Sequence, residues 1–235
     1  MEQLPKKLEN DPIVDAIIEV RFETKMNPNV VFALIYGKVR EKFDGKKVLS
    51  LPISQMPPDI IRQDPALKYK PLYRIEGDEC SLQIGAQMIA LSSKVPYIGW
   101  DRFSTIFYEI VNLCFECFDK VSRLGLRYIN FFEGDISNKI NINFSLSEKY
   151  EPSRLNIQAE VVDNDIPSTL QYTPNAVWQE KAGAVIDIDT FKSYKDGSPG
   201  LKELFSDIES VHTCEKTVFC SLLKDEFLQE LKPQY

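Results

Sequence analysis

Charged side chains at alternate positions of a β-strand share one face, and this chain carries such a pattern twice. Between Ile13 and Thr24, Val14, Ala16, Ile18, Val20 and Phe22 fall on one side, while Asp15, Glu19, Arg21 and Glu23 fall mostly on the other. Over about 122–132, Leu124, Leu126 and Tyr128 alternate with Arg127. If these are equivalent central strands of one sheet, Glu19, Arg21 and Arg127 lie on its uncovered face. Asn130, in step with Tyr128, then lies on the opposite face. A guanidinium so placed can hold a carboxylate or phosphate through two parallel hydrogen bonds. The competing reading is a cross-strand Glu–Arg pair on a solvated sheet, which contributes little energy.

Other residue types are weighed in the same way. Asp187 and Asp189 are two apart in a strand and share a face, a spacing that could serve Mg²⁺ or acid–base work. No further oxygen ligands are identifiable, and Ile186, Ile188 and Thr190 make the buried side, so the pair reads more simply as solvent-facing. Tyr97-Ile98-Gly99-Trp100 could form an aromatic platform for a ligand or partner. Its alternative is a loop that pins the start of the following helix. Cys114 and Cys117 have CxxC spacing but lie on an apolar helix stripe, and a structural zinc site needs four ligands. Core packing is the better reading, and no metal or other cofactor is expected. His212 is the single histidine, which leaves little for Ser-His-Asp or Cys-His catalysis. There is no Walker A motif, no GxGxxG and no EF-hand loop.

The 235 residues carry a net charge of −7, with a pI near 5.0. General nucleic-acid binders usually show a basic patch, so a nucleic-acid partner is not expected. Five cysteines, an odd number, are spread through apolar segments, which fits reduced thiols better than a disulfide framework. The N-terminal residues lack the apolar core of a signal peptide, and no apolar run approaches the ~20 residues of a membrane span. A cytoplasmic location without membrane association is the expectation.

The elements that must position these residues follow from periodicity. Asn27-Pro28 caps and opens a helix with Val31, Ile35, Val39 and Phe43 at four-residue intervals. Short strands are predicted near 47–53, 69–76, 79–85 and 87–93. Glu76-Gly77-Asp78 is a hairpin turn, and a Pro-rich excursion interrupts the series. The strongest helix covers 101–120. A second cycle follows the strand at 122–132, with a loop and short helix to about 152, then strands near 154–163, 166–173 and 182–192. A long helix opens after Ser198-Pro199 and breaks before Leu231. The expected fold class is therefore α+β. Two similar βα(β)nα halves, residues 1–120 and 121–235, would form one curved, mainly antiparallel sheet, share one core and carry their helices on one face.

Three stretches together bear a family resemblance. They are Leu4-Pro5 with Asn10 to Phe22; Tyr97 to Phe103 leading into Leu124-Gly125-Leu126-Arg127-Tyr128-Ile129-Asn130; and Asp187-Ile188-Asp189-Thr190-Phe191 before the C-terminal helix. The chain resembles the sporadically distributed prokaryotic TIGR04255 family over nearly its whole length. That resemblance implies a patchily inherited accessory protein, of the kind found among stress or defence genes, and supplies no catalytic residue. With no catalytic constellation apparent, the first functional expectation is a binding or interaction protein with a protein partner or self-association. Arg21, Tyr97, Trp100 and Arg127 are its candidate contacts. The alternative is a pocket protein or enzyme acting on a phosphorylated or nucleotide-like small ligand.

Overall fold

Alternation and turn chemistry account for most elements of the computed structural model, which describes residues 4–43, 45–144, 155–195 and 197–235. A two-residue strand β1 (Lys7–Leu8) precedes β2 (Ile13–Glu23) and α1 (Pro28–Val39). Asn27 caps α1 by accepting a hydrogen bond from the Asn29 amide, and Val31, Ile35 and Val39 are buried. Next come β3 (Val48–Ser50), the short helix α2 (Pro58–Gln63), β4 (Pro71–Glu76), β5 (Cys80–Gly85), β6 (Met88–Ser93) and α3 (Trp100–Cys114). The second cycle contains β7 (Lys120–Glu133), β8 (Ile157–Asp163), β9 (Ile166–Trp178), β10 (Lys181–Ser193), α4 (Leu201–Leu222), α5 (Asp225–Glu230) and β11 (Pro233–Gln234). The expected loop and short helix before about 152 fall partly outside the described residues. In the described part, 134–144, there is no helix, and Ile140 bridges Leu223.

Nine strands form one antiparallel sheet in the order β3-β4-β5-β6-β2-β7-β10-β9-β8, and the fold is α+β. Four strands flank the central β2–β7 pair on one side and three on the other, in the same pattern. Each of these long strands is flanked by the last strand of its own cycle, with the earlier strands ranked outward. Two-residue turns join β8 to β9 and β9 to β10, with Asn164 and Asp165, and again Gln179 and Glu180, at positive φ. This backbone matches the twist of the adjoining strands. β1 pairs with β11, so the two ends of the described chain meet.

The inward side chains of β2 (Ala16, Ile18, Val20, Phe22) and β7 (Val121, Leu124, Leu126, Tyr128) join α1, α3 and α4 in one apolar core that spans both cycles. Phe22 stacks on Phe118 with ring centroids 4.3 Å apart, and both Phe103 and Phe107 of α3 are fully buried. Burying side chains of this size contributes about 1.5–3 kcal/mol each. The long helices thus cover one face, as the periodicity requires. The Pro-rich excursion departs from the expected arrangement. Leu72 of β4 faces the opposite side, where Ile61 of α2 and Ala86 close over it in a small second core. One end of the otherwise open face is therefore walled.

Candidate functional site on the open sheet face

Register decides what the open face presents. Across β2 and β7, Ile17 stands opposite Arg127, Glu19 opposite Gly125, and Arg21 opposite Arg123. Across β7 and β10, Arg127 faces Asp189 and Gly125 faces Phe191. On the other flank of β2, Glu19 pairs with Ala90 of β6. Glu19 therefore sits between two small residues, Ala90 and Gly125, in the middle of a shallow floor. Residues 65–71 of the excursion (Pro65, Ala66, Tyr69, Lys70 and Pro71) raise a wall beside it and complete a cavity of about 320 Å³.

The floor is an ion-pair lattice. Arg21 Nε donates to Glu19 Oε1 at 2.6 Å, and Arg123 Nη1 donates to the same oxygen at 3.3 Å. Arg123 Nη2 spans both oxygens of Asp189 at 2.9 and 3.1 Å. Arg127 grips Asp187 with two parallel bonds, Nε to Oδ1 at 2.8 Å and Nη2 to Oδ2 at 2.5 Å. The bonds to Asp187 raise the affinity of the Arg127 guanidinium for its proton above the ordinary value, against the effect of burial. Asp15, one same-face step beyond Ile17, accepts from the Ser92 hydroxyl at 2.8 Å, and burial pushes its carboxyl upward. The Arg21 guanidinium also lies over the Tyr69 ring at 4.7 Å, and Arg123 over Phe191 at 4.5 Å. Such planar stacking is open to arginine and closed to lysine.

Gly125 makes this arrangement possible. A Cβ there would stand 3.1 Å from Arg123 Cζ and closer still to Nη1. The Arg123 side chain folds back over its own strand across the space that glycine leaves. Several donors remain outside the lattice among the described residues: both terminal nitrogens of Arg21, Nη1 of Arg127 and the Lys70 ammonium.

The predicted site residues divide between the two faces. Arg21 and Arg127 share the open-face cavity. Tyr97 and Trp100 lie on the helix side. The Tyr97 hydroxyl meets that of Tyr128 at 2.9 Å, and Tyr97 packs edge-on against Phe103. Trp100 stacks on His212 of α4 at 3.8 Å, and its Nε1 donates to Glu209 at 3.1 Å. These two aromatics fasten α3 and α4 to the sheet and do not reach the cavity. Asn130 is buried and donates to the Ile186 carbonyl. Asp187 and Asp189 share a face as parity requires, yet Asp187 is buried beneath Arg127, and both carboxylates are committed to guanidiniums. Sequence reasoning passed over Arg123, Gly125, Tyr69 and Lys70. Parity with Arg127 carries the signal for Arg123, whereas the contribution of the excursion depends on tertiary placement.

Away from this face, the buried Cys114 thiol is pushed up to about 12 by burial, and all five cysteines are free. Among the described residues, no group of three or more His, Cys, Asp or Glu side chains is arranged to hold a metal ion. A second cavity of about 310 Å³ lies between α3, the β4–β5 turn and the residues Lys42, Phe43 and Lys46, which follow α1. Its cations are matched one for one: Lys42 by Glu109, Lys46 by Asp78 and Arg102 by Glu79. No described helix is long and apolar enough to cross a membrane. No family model matches the chain, and no curated protein matches it.

Proposed function

We propose that the protein is a non-enzymatic binding protein that captures its ligand on the open face of the sheet. The observation that carries this reading is the walled cavity floored by three arginines whose positions are fixed by their own carboxylate partners. Donors held in place before a ligand arrives lose little freedom on binding, and that is where affinity is gained. The cavity lining contains no Ser, Thr, Cys or His, and its two carboxylates, Glu19 and Asp189, are already bonded to guanidiniums. Binding without chemistry fits that inventory better than catalysis does.

The stretches that carry the family resemblance include Glu19, Arg21, Gly125, Arg127, Asp187 and Asp189. A shared binding face would explain why those segments stand out, and an accessory role in stress or defence belongs to the same proposal. A protein partner could address this face too. The cavity volume favours a small ligand, since pockets for such molecules begin at about 300 Å³.

The test is a thermal-shift screen of metabolite pools on the purified chain. A ligand should raise Tm with concentration, and Arg127→Ala should abolish the rise. A Tm rise that survives both Arg127→Ala and Arg21→Ala would place binding elsewhere and refute the proposal.

A further inference from the structure

The charge and spare hydrogen-bonding capacity of the cavity narrow its occupant. Four cationic side chains line it (Arg21, Arg123, Arg127 and Lys70) against two carboxylates, Glu19 and Asp189. Counting Asp187, which pairs with Arg127 from behind, the site sets four cations against three carboxylates, an excess of one positive charge on a chain whose net charge is −7. Asp187 is not part of the lining; it stands behind Arg127 and occupies that guanidinium's Nε–Nη2 edge. The second cavity, by contrast, balances three cations with three carboxylates.

The unused donors are dispersed. Arg21 offers Nη1 and Nη2, Arg127 offers Nη1, Arg123 offers Nε, and Lys70 offers its ammonium. A carboxylate has two coplanar oxygens and is satisfied by one guanidinium fork; the open Nη1–Nη2 fork of Arg21 would hold one, and the spare donors of Arg127, Arg123 and Lys70 would be left unused. A phosphate monoester has three terminal oxygens in a tetrahedral array and a charge of about −1.5 to −2 at neutral pH. It can accept from donors arriving in different directions, and its charge has the sign that the site attracts. At the centre of the floor, Glu19 uses Oε1 for both of its arginine bonds, while Oε2 has no partner among the described residues. That oxygen is open to a donor on the ligand. The volume, about 320 Å³, admits one small molecule.

We infer that the occupant is a small phosphate monoester, no larger than a mononucleotide, carrying a hydroxyl or amino donor that reaches Glu19. This rests on the open-face cavity being the binding site. Phosphate oxygens would take the free edges of Arg21 and Arg127 with Lys70 at the rim. Because the attraction is largely ionic, affinity falls as salt rises.

The experiment is isothermal titration of the full chain at low ionic strength with AMP, ribose 5-phosphate, inorganic phosphate, adenosine, succinate and a phosphoserine tetrapeptide. AMP or ribose 5-phosphate should bind, and adenosine should bind at least about tenfold more weakly than AMP. Arg21→Gln should weaken the phosphate compounds about ten- to hundredfold. The paired substitution Arg127→Gln with Asp187→Asn should do the same, and it strands no buried charge, so folding is preserved. Arg102→Gln, in the second cavity, should change nothing. Glu19→Gln should weaken ribose 5-phosphate more than inorganic phosphate, which has no second group to offer. Succinate binding as tightly as the phosphates, with the same sensitivity to Arg21→Gln, would overturn the phosphate assignment and leave the cavity as the site. Phosphate binding untouched by both arginine variants would overturn the cavity itself. A phosphopeptide bound more tightly than any free phosphate would replace the small molecule with a modified protein. Silence from every probe at millimolar concentration would remove the phosphate inference, with the thermal-shift screen still deciding the site.

Discussion

Gly125→Ala isolates the device that shapes the cavity floor. The new Cβ would stand 3.1 Å from Arg123 Cζ and 3.4 Å from Nη2, and closer than either to Nη1. Restoring an ordinary separation of about 3.5–4 Å moves the guanidinium by roughly an ångström. The Arg123–Glu19 bond, already 3.3 Å long, is then lost, and the bonds to Asp189 at 2.9 and 3.1 Å are stretched. A charge-assisted hydrogen bond contributes about 1.5–3 kcal/mol when sheltered, and less where Asp189 is partly exposed. Alanine returns about 0.4–1 kcal/mol by restricting the unfolded chain. The net cost should be about 1–2 kcal/mol, or about 2–8 °C in Tm for a chain of this size. Urea and thermal denaturation of four proteins close the cycle: wild type, Gly125→Ala, Arg123→Ala and the double variant. In the Arg123→Ala background the same glycine substitution should be neutral or stabilising, because the atoms it strikes are gone. Equal destabilisation in both backgrounds would show that the strand backbone, and not the Arg123 side chain, needs the glycine, and the reasoning would fail.

Other parts of the structure make equally definite predictions. His212, packed flat on Trp100, has its pKa lowered to about 3, first by burial and then by the Lys216 charge. The folded protein therefore holds it neutral, and the stability this provides is complete above about pH 6.5 and erodes as pH falls toward 3, at up to about 1.4 kcal/mol per pH unit. Denaturation midpoints between pH 7 and 5 should fall more steeply in wild type than in His212→Phe. Glu215 of α4 is buried with Oε1 unpartnered, and burial pushes its carboxyl well above the ordinary value. The unfolded chain ionises first as pH rises, so Glu215→Gln should raise Tm at pH 7, with a gain that vanishes below about pH 4.5; an unchanged difference across that range would contradict this. Phe22→Ala, at a fully buried ring stacked on Phe118, should cost about 3–5 kcal/mol. A loss below about 1 kcal/mol by urea denaturation would mean that this part of the core is not packed as described.

The elements that hold the site were legible because strand parity and helix period are strong local signals. The even residues of β2 gave its core face, and Val31, Ile35 and Val39 gave the buried face of α1. The same parity placed Glu19, Arg21 and Arg127 together and separated Asn130 from them. It did not give partners, because register across β7 and β10 is set by long-range pairing. The Asp187–Arg127 grip was invisible for that reason, and a buried carboxylate was read as solvent-facing. Tyr97 and Trp100 allowed two readings because aromatic side chains serve interfaces and helix packing with the same chemistry, and the contacts made here are those of helix packing. Here a hydroxyl pair with Tyr128 and a stack on His212 hold them against the core. The wall formed by residues 65–71 has no local signature, since its proline-rich sequence states only that it is irregular.

The measurement that bears most directly on the central claim is native mass spectrometry of the chain purified gently from its own host. It would be run beside a denatured control and beside the paired variant Arg127→Gln with Asp187→Asn. The account predicts a small retained mass on the native wild-type chain that is absent from the denatured control and lost in the variant. A second polypeptide in place of that mass, or a retained small molecule that persists undiminished in the variant, would contradict it.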